Sequence, residues 1–241
     1  MTKLMIELRR SPRLLLERDG HPGPGPGRLA VVLARAGVGK TPLLVSVGVD
    51  ALLSGQRVLH VSLERTVDKI RSWYDDLLME MLRRERKLEH WSALQLHMER
   101  RRHIHTYVGR SFSVDRLRQA LDLLREAMEF VPEVIILDRV EYTELDAPLV
   151  ARLRQLASEL QAELWMACRT HRDGPQAQPG HLPPPADAFE EHVDVAFRLE
   201  TQEAKVRLQV LKDQGQVVDK DLNILLDPQT LLLTTGVGRR R

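Results

Sequence analysis

The chain has 241 residues, 43% of them hydrophobic and 29% charged, which is the composition of one globular α/β domain rather than of a disordered chain. Its 36 basic and 34 acidic residues leave a formal net charge of +2, so no global positive field favours nucleic acid. A single cysteine, Cys168, excludes an internal disulfide and favours a reducing compartment. With no signal-peptide core and no apolar run of membrane-spanning length, we expect a cytoplasmic protein with no membrane partner.

The first 28 residues differ in character from the rest of the chain. Leucines and basic residues over 3–18 predict a short amphipathic helix, which Pro12 must break or begin. The Gly- and Pro-rich residues 20–28 can form neither a helix nor a central strand, so they are predicted to be a linker. We therefore expect residues 1–19 to be an N-terminal helical arm, tethered to the domain but not part of its sheet.

From residue 29 onward, apolar strands alternate with helical patterns. The predicted strands are 29–34, 58–63, 103–108, 134–137 and 164–168, and the predicted helices are 40–53, 67–86, 114–130 and 149–160. This alternation predicts a mostly parallel sheet with helices on both faces. Strands at 193–199, 206–211 and 222–226 lack intervening helices, so an antiparallel C-terminal extension is expected. The domain is predicted to span 29–235, followed by a basic tail at 236–241.

The first predicted strand leads into a phosphate-binding motif. Residues 34–41 read Ala-Arg-Ala-Gly-Val-Gly-Lys-Thr, which is the P-loop pattern in its required setting between a strand and a helix. Lys40 would reach the β- and γ-phosphates of ATP, and the Thr41 hydroxyl would ligate Mg²⁺. A chance glycine-rich turn is the alternative. The residues predicted to bind the nucleotide are Ala36, Gly37, Val38, Gly39, Lys40, Thr41 and Pro42, the last tolerated because a first helical turn does not need its N–H.

Two carboxylates complete the predicted site. Asp138 ends the apolar strand Val-Ile-Ile-Leu-Asp, as a Walker B aspartate does, and would support the Mg²⁺ ion. Glu64 follows the strand at 58–63 and would lie at the same sheet edge, where it could orient the attacking water. The alternatives are a strand-capping aspartate and a solvated or helix-capping glutamate.

These motifs resemble the RecA-like ATPase domain of DnaB-type replicative helicases, with KaiC-like and RadA-like ATPases as near relatives. The family's P-loop often reads A-R-P-x-x-G-K-T, and its second strand ends in S-L-E, matched here by Ser62-Leu63-Glu64. Its Walker B strand resembles residues 137–141. The resemblance covers most of residues 29–233 and implies a RecA-like P-loop NTPase fold, ATP and Mg²⁺ as ligands, Glu64 as catalytic base, and a homo-oligomer of six subunits or fewer.

The chain departs from that family at the groups that accelerate hydrolysis. Arg169 stands where the family has a phosphate-sensing glutamine. The hairpin K-x-R-x-G, which delivers a lysine and an arginine finger to the neighbouring subunit, reads Lys212-Asp213-Gln214-Gly215 here. An arginine finger is worth roughly 10³–10⁵ in rate, so we expect slow hydrolysis. Lys212 is implied to act across a subunit interface, and Arg169 could substitute for the missing cation in cis.

The leading functional prediction is an ATP-binding, slowly hydrolysing ATPase that acts as a switch or assembly factor on a protein partner. A nucleic-acid motor or helicase loader, and a non-hydrolysing ATP-dependent scaffold, are the alternatives. Nucleic acid is not favoured, because the Pro-rich loop at 173–187 has no lysine or arginine. The basic residues of 83–105, with Trp91 among them, are interpreted as a solvated face paired with glutamates. His103 and His105 share a strand face, and no zinc site is expected.

Overall fold

A computed structural model describes residues 2–16, 23–107, 111–138, 145–170, 180–202, 205–227, 230 and 232. The α-helices are α1 (Thr2–Leu8), α2 (Lys40–Leu53), α3 (Val67–Arg84), α4 (Trp91–Glu99), α5 (Val114–Met128) and α6 (Ala147–Leu160). The strands are β1 (Leu29–Ala34), β2 (Val58–Ser62), β3 (Arg102–Thr106), β4 (Val134–Asp138), β5 (Glu163–Arg169), β6 (Val195–Gln202), β7 (Lys205–Asp213) and β8 (Gln216–Leu226). Short 3-10 helices occupy Pro12–Leu16, Leu88–His90 and Ala186–His192.

The eight strands form one sheet in the order β3-β2-β4-β5-β1-β6-β7-β8. The six strands from β3 to β6 run parallel, which confirms the α/β class with a mostly parallel sheet. The prediction that β6 is antiparallel is wrong, because it pairs in parallel with β1 and places Val195 beside Ala30. The chain between β5 and β6 is long enough to return to the starting edge, as a parallel crossover requires. β7 pairs antiparallel with β6 and with β8.

Alternate residues of each central strand are buried on opposite faces of the sheet. In β1, Ala30 and Val32 pack in the same cluster as α2, α3 and α4, whereas Val31 and Leu33 pack with α5 and α6. The predicted helices on both faces are therefore confirmed. Within the described ranges, none of the helices has both the length and the apolar character that crossing a membrane demands.

The N-terminal segment, which we define as residues 2–16, lies outside the sheet but packs firmly onto the domain. Pro12 begins its second, 3-10 helical turn, and Leu4, Leu8 and Leu16 are buried in the core cluster of α2. The Arg13 side chain is completely buried, with its guanidinium between Asp50 of α2 and Glu163 of β5. The segment is thus anchored at the end of α2 that is remote from the P-loop.

Candidate functional site

The predicted P-loop, residues 35–39, connects β1 to α2 at the carboxyl edge of the parallel strands. Gly37 and Gly39 adopt left-handed conformations, with φ of 79° and 116°, which glycine adopts without steric cost. A Cβ atom on Gly37 would meet no other atom within 4 Å, so the loop faces open space. Gly39 caps α2 without a side-chain hydrogen bond, and no acidic residue occupies the first turn. The N–H groups and the positive end of the helix dipole are therefore accessible to an anion.

The two predicted metal ligands are in direct contact. Thr41 in the first turn of α2 donates a 2.8 Å hydrogen bond from Oγ1 to Oδ2 of Asp138, the last residue of β4. Both residues are buried, and Asp138 has no exposed surface. A hydroxyl and a carboxylate at this spacing match the oxygen ligands that Mg²⁺ prefers, and one carboxylate with several waters and substrate phosphates is its usual protein environment.

Lys40 folds back over its own loop. Its Nζ donates hydrogen bonds of 2.8 and 2.9 Å to the carbonyl oxygens of Ala34 and Arg35. The ammonium group therefore lies at the mouth of the loop and would have to exchange these carbonyls for phosphate oxygens when an anion binds. Cys168, which pairs with Leu33 in the sheet, is buried nearby. Burial raises the pKa of its thiol to about 12, although the charge of Lys40 opposes this.

Glu64 and Arg169 lie at the same sheet edge as the P-loop. Ser62 at the end of β2 pairs with Asp138, and Glu64 is two residues further on. Its side chain is half-exposed, and its Oε1 is 3.7 Å from Nη2 of Arg65. Arg169 ends β5 in register with Ala34, the residue that precedes the P-loop, and is exposed. The structure thus brings together the P-loop residues, Asp138, Glu64 and Arg169.

Lys212 is the predicted site residue that the structure does not bring to this edge. It pairs with Ala196 near the start of β6, at the opposite end of the strands, and its buried Nζ donates a hydrogen bond to the backbone carbonyl of Glu190. Burial lowers the pKa of Lys212, against the opposing charges of Glu190 and Asp194. Gln214 lies in the exposed β7–β8 turn. The distance between the two edges along β1 is roughly 17 Å at ~3.3 Å per residue.

The basic residues of 83–105 are largely engaged within the chain. Arg83 and Arg84 both pair with Glu80, and Arg84 also contacts Asp227. Arg102 is buried, with its guanidinium 4.6 Å from the centre of the Tyr74 ring. Trp91 is only partly exposed, because it packs against the core.

The two histidines of β3 contact aromatic rings. His103 lies 4.3 Å from the centroid of Phe130, and His105 lies 4.8 Å from that of Tyr107. Among the described residues, no group of three or more His, Cys, Asp or Glu side chains is arranged to hold a metal ion. These contacts give His103 and His105 a packing role in the aromatic cluster beside β3.

A buried contact under α2 was not predicted from the sequence. Gly48, in the middle of α2, lies against the hydroxyl of Tyr74 from α3, which is hydrogen-bonded to Nδ1 of His60 at 3.0 Å. The signal in the sequence is the glycine itself, since a glycine inside a helix costs about 0.5–1 kcal/mol relative to alanine and so indicates a close approach.

No protein-family model matches the chain, and no curated protein matches it. The assignment of the site consequently depends on its own geometry. The loop is open, the start of α2 is accessible to an anion, Lys40 lies beside the loop, and Thr41 and Asp138 form a buried oxygen pair. An open loop at a helix start, a lysine beside it and a buried hydroxyl–carboxylate pair can hold an anionic group together with a divalent cation.

Proposed function

We propose that the chain binds ATP with Mg²⁺ at the P-loop edge and hydrolyses it slowly, as a RecA-like ATPase that serves as a nucleotide-dependent switch or assembly factor. The observation that carries the proposal is the hydrogen bond between Thr41 and Asp138, two residues 97 positions apart in the chain. Each is predicted to be a metal ligand by its own sequence motif. A chance glycine-rich turn gives no reason for its threonine to contact the carboxylate that ends another strand.

Each residue of the site has a role in this proposal. The loop N–H groups, the start of α2 and Lys40 bind the phosphates, and Thr41 and Asp138 hold the metal. Bound Mg²⁺ would neutralise charge on the β- and γ-phosphates. Glu64 accepts a proton from the water whose oxygen attacks the γ-phosphorus, while the bond from that phosphorus to the bridging oxygen breaks and ADP leaves.

The proposed turnover is slow because few cationic side chains are available to stabilise the γ-phosphate in the transition state. Lys212 is occupied by the Glu190 carbonyl within its own chain, and Gln214 brings no charge to a neighbour. Arg169 is an exposed cation at the same sheet edge as the proposed phosphate site. Since the transition state spreads negative charge over its equatorial oxygens, one arginine in cis supports a modest rate.

Nucleotide binding is tested by titrating a fluorescent ATP analogue with Mg²⁺ into three proteins. Wild type should bind, and Lys40→Ala should bind at least about tenfold more weakly, since one charge-assisted hydrogen bond is worth ~1.5–3 kcal/mol. Lys87→Ala is the control, because Lys87 is an exposed lysine just beyond the far end of α3. Equal affinity for all three proteins would remove the P-loop from the proposal.

Hydrolysis is tested separately by phosphate release. Glu64→Gln should abolish turnover while nucleotide affinity stays within about twofold, and the exposed Glu126→Gln should leave both unchanged. A wild type that binds ATP without releasing phosphate would favour the scaffold alternative. The mass of the wild type in solution, measured without nucleotide, with ADP and with ATP, decides whether the proposed homo-oligomer forms.

A further inference from the structure

Helix α2 contacts β4 at two points on the same side of the sheet. At the first, Thr41 contacts Asp138. At the second, Gly48 approaches Ile136 so closely that a Cβ on the glycine would be 2.9 Å from Ile136 Cδ1. Seven residues of helix, about 10 Å, separate the two contacts. The height of α2 over β4 at Gly48 therefore affects the fit between Thr41 and Asp138.

The Tyr74 hydroxyl occupies the gap beside the second contact. A Cβ on Gly48 would be only 2.2 Å from Tyr74 Oη, and a contact under 3.0 Å requires something to move. The hydroxyl cannot move freely, because it is hydrogen-bonded to the buried His60 of β2 at 3.0 Å. The ring is also held from below by Arg102 of β3, whose guanidinium lies 4.6 Å from its centre.

The surroundings of Tyr74 and His60 determine the charge of each side chain. Burial raises the pKa of the Tyr74 hydroxyl, with Arg102 opposing the shift and the negative charge of Asp138 adding to it. Burial, with the charge of Arg102, lowers the pKa of His60 to about 3. Both groups are consequently neutral at physiological pH.

We propose that Tyr74 is a positioning residue of the phosphate site. Its hydroxyl, held by His60 and lodged against Gly48, sets the height of α2 over β4 and so keeps Thr41 within reach of Asp138. The inference rests on the proposed function, since the consequence falls on the metal that these two residues would share. Tyr74 itself contacts neither phosphate nor metal in this account.

The measured quantity is the change in nucleotide affinity that Mg²⁺ causes. If Tyr74 only stabilised the fold, replacing it would not alter this change. The dissociation constant of a fluorescent ATP analogue is measured with Mg²⁺ and again with EDTA. Tyr74→Phe should bind about tenfold more weakly with Mg²⁺, the usual loss when a residue supporting a metal ligand is removed. Affinity in EDTA should not change, because the loop and Lys40 are untouched.

Two further variants guard against a simple loss of folding. Gly48→Ala should show the same selective loss, because its methyl group displaces α2 or Tyr74. The double variant Gly48→Ala/Tyr74→Phe removes the atom nearest to that methyl group and should regain part of the Mg²⁺ effect. Leu78→Val is the control, because this buried leucine lies one turn from Tyr74 in α3. The smaller side chain should lower the stability of the fold without changing the effect of Mg²⁺ on nucleotide affinity.

The outcomes separate the two claims. If wild type does not bind the analogue, the proposed function fails and the inference fails with it. If wild type binds more tightly with Mg²⁺ and Tyr74→Phe retains the same enhancement, the inference alone is overturned. A double variant that is as defective as the sum of its parts would also count against the contact between Tyr74 and Gly48, because residues in contact are expected to be non-additive.

Discussion

Replacing Arg13 with alanine should destabilise the protein far more than replacing an exposed arginine. Arg13 donates to Glu163 at 3.1 and 2.9 Å, to Asp50 at 3.4 Å and to the Gln56 side chain at 2.7 Å. Although burial alone would lower the pKa of Arg13, the charges of Glu163 and Asp50 raise it above its ordinary value. The guanidinium is therefore ionised, and its carboxylate partners are buried with it.

The expected magnitude follows from what alanine leaves behind. Without Arg13, Glu163 keeps a hydrogen bond from Trp165 Nε1, and Asp50 keeps its pair with Arg9. The carboxylate of Glu163 then has no cation in contact with it among the described residues. Removing one partner of a buried ion pair costs about 3–5 kcal/mol, because the other charge is left buried and uncompensated. At ~2–4 °C per kcal/mol for a domain of this size, the melting temperature should fall by roughly 6–20 °C.

The assay is urea denaturation followed by circular dichroism, with Arg118→Ala as the matched control. Arg118 pairs with Glu159, and both side chains are about 40% exposed, so this variant should lose little stability because solvent screens the pair. The double variant Arg13→Ala/Glu163→Gln should be more stable than Arg13→Ala alone, since the unpaired charge is gone. If Arg13→Ala costs no more than Arg118→Ala, the N-terminal segment is not anchored by this ion pair and the reasoning is wrong.

Four further predictions concern single groups. The pKa of His60 is about 3 in the folded protein and 6.5 when the side chain is exposed, so below pH 6.5 the unfolded chain binds a proton that the folded protein does not. The free energy of unfolding should therefore fall by ~1.4 kcal/mol for each pH unit below 6.5. His60→Gln should remove this pH dependence in urea denaturation at pH 7, 6 and 5. Cys168 should react with a thiol reagent only after unfolding, since it is buried and protonated; equal rates in native and denatured protein would contradict this. Fluorescence anisotropy should detect weak or no binding to single-stranded oligonucleotides at physiological salt, whereas tight, salt-sensitive binding would favour the motor alternative. Gln214→Arg should raise the rate of phosphate release at high protein concentration, and Arg169→Ala should lower it. If the wild type already turns over at roughly tens per second and Arg169→Ala has no effect, the absence of an arginine finger does not limit the rate.

Much of the parallel part of the fold was predictable because β1, β2 and β4 are short, largely apolar strands that are each followed by a helix. Helix α6 begins two residues before its predicted start because Asp146 accepts a hydrogen bond from the Leu149 N–H and a proline occupies the first turn. The direction of β6 was not predictable in the same way. The connection from β5 to β6 includes the Pro-rich residues 173–187, of which 173–179 lie outside the described residues. It also contains a 3-10 helix whose sequence has no strong hydrophobic periodicity.

Some residues of the candidate site could likewise be predicted from the sequence, and others could not. The predicted P-loop, Asp138 and Glu64 could be placed from the sequence, because the carboxyl ends of parallel strands meet at one edge, whereas Arg169 came from the resemblance. The position of Lys212 came from the resemblance, and a local sequence cannot show that a lysine at a strand end folds inward to a backbone carbonyl. The burial of Arg13 was equally hidden, because its two carboxylate partners lie 37 and 150 positions away along the chain.

The P-loop helix is held at three levels, and together these explain why so much buried polarity surrounds one helix. Thr41 joins its first turn to Asp138, Tyr74 fits against Gly48 at its middle, and Asp50 near its last turn pairs with Arg9 and Arg13. A carboxylate near the carboxyl end of a helix is unfavourable on its own, so the two arginines offset both the charge and the helix dipole there. Under the proposed function, an anion at the other end of α2 would add charge where the dipole favours it. A helix fixed along its whole length would then present its N–H groups to that anion without reorganising, which favours tight binding.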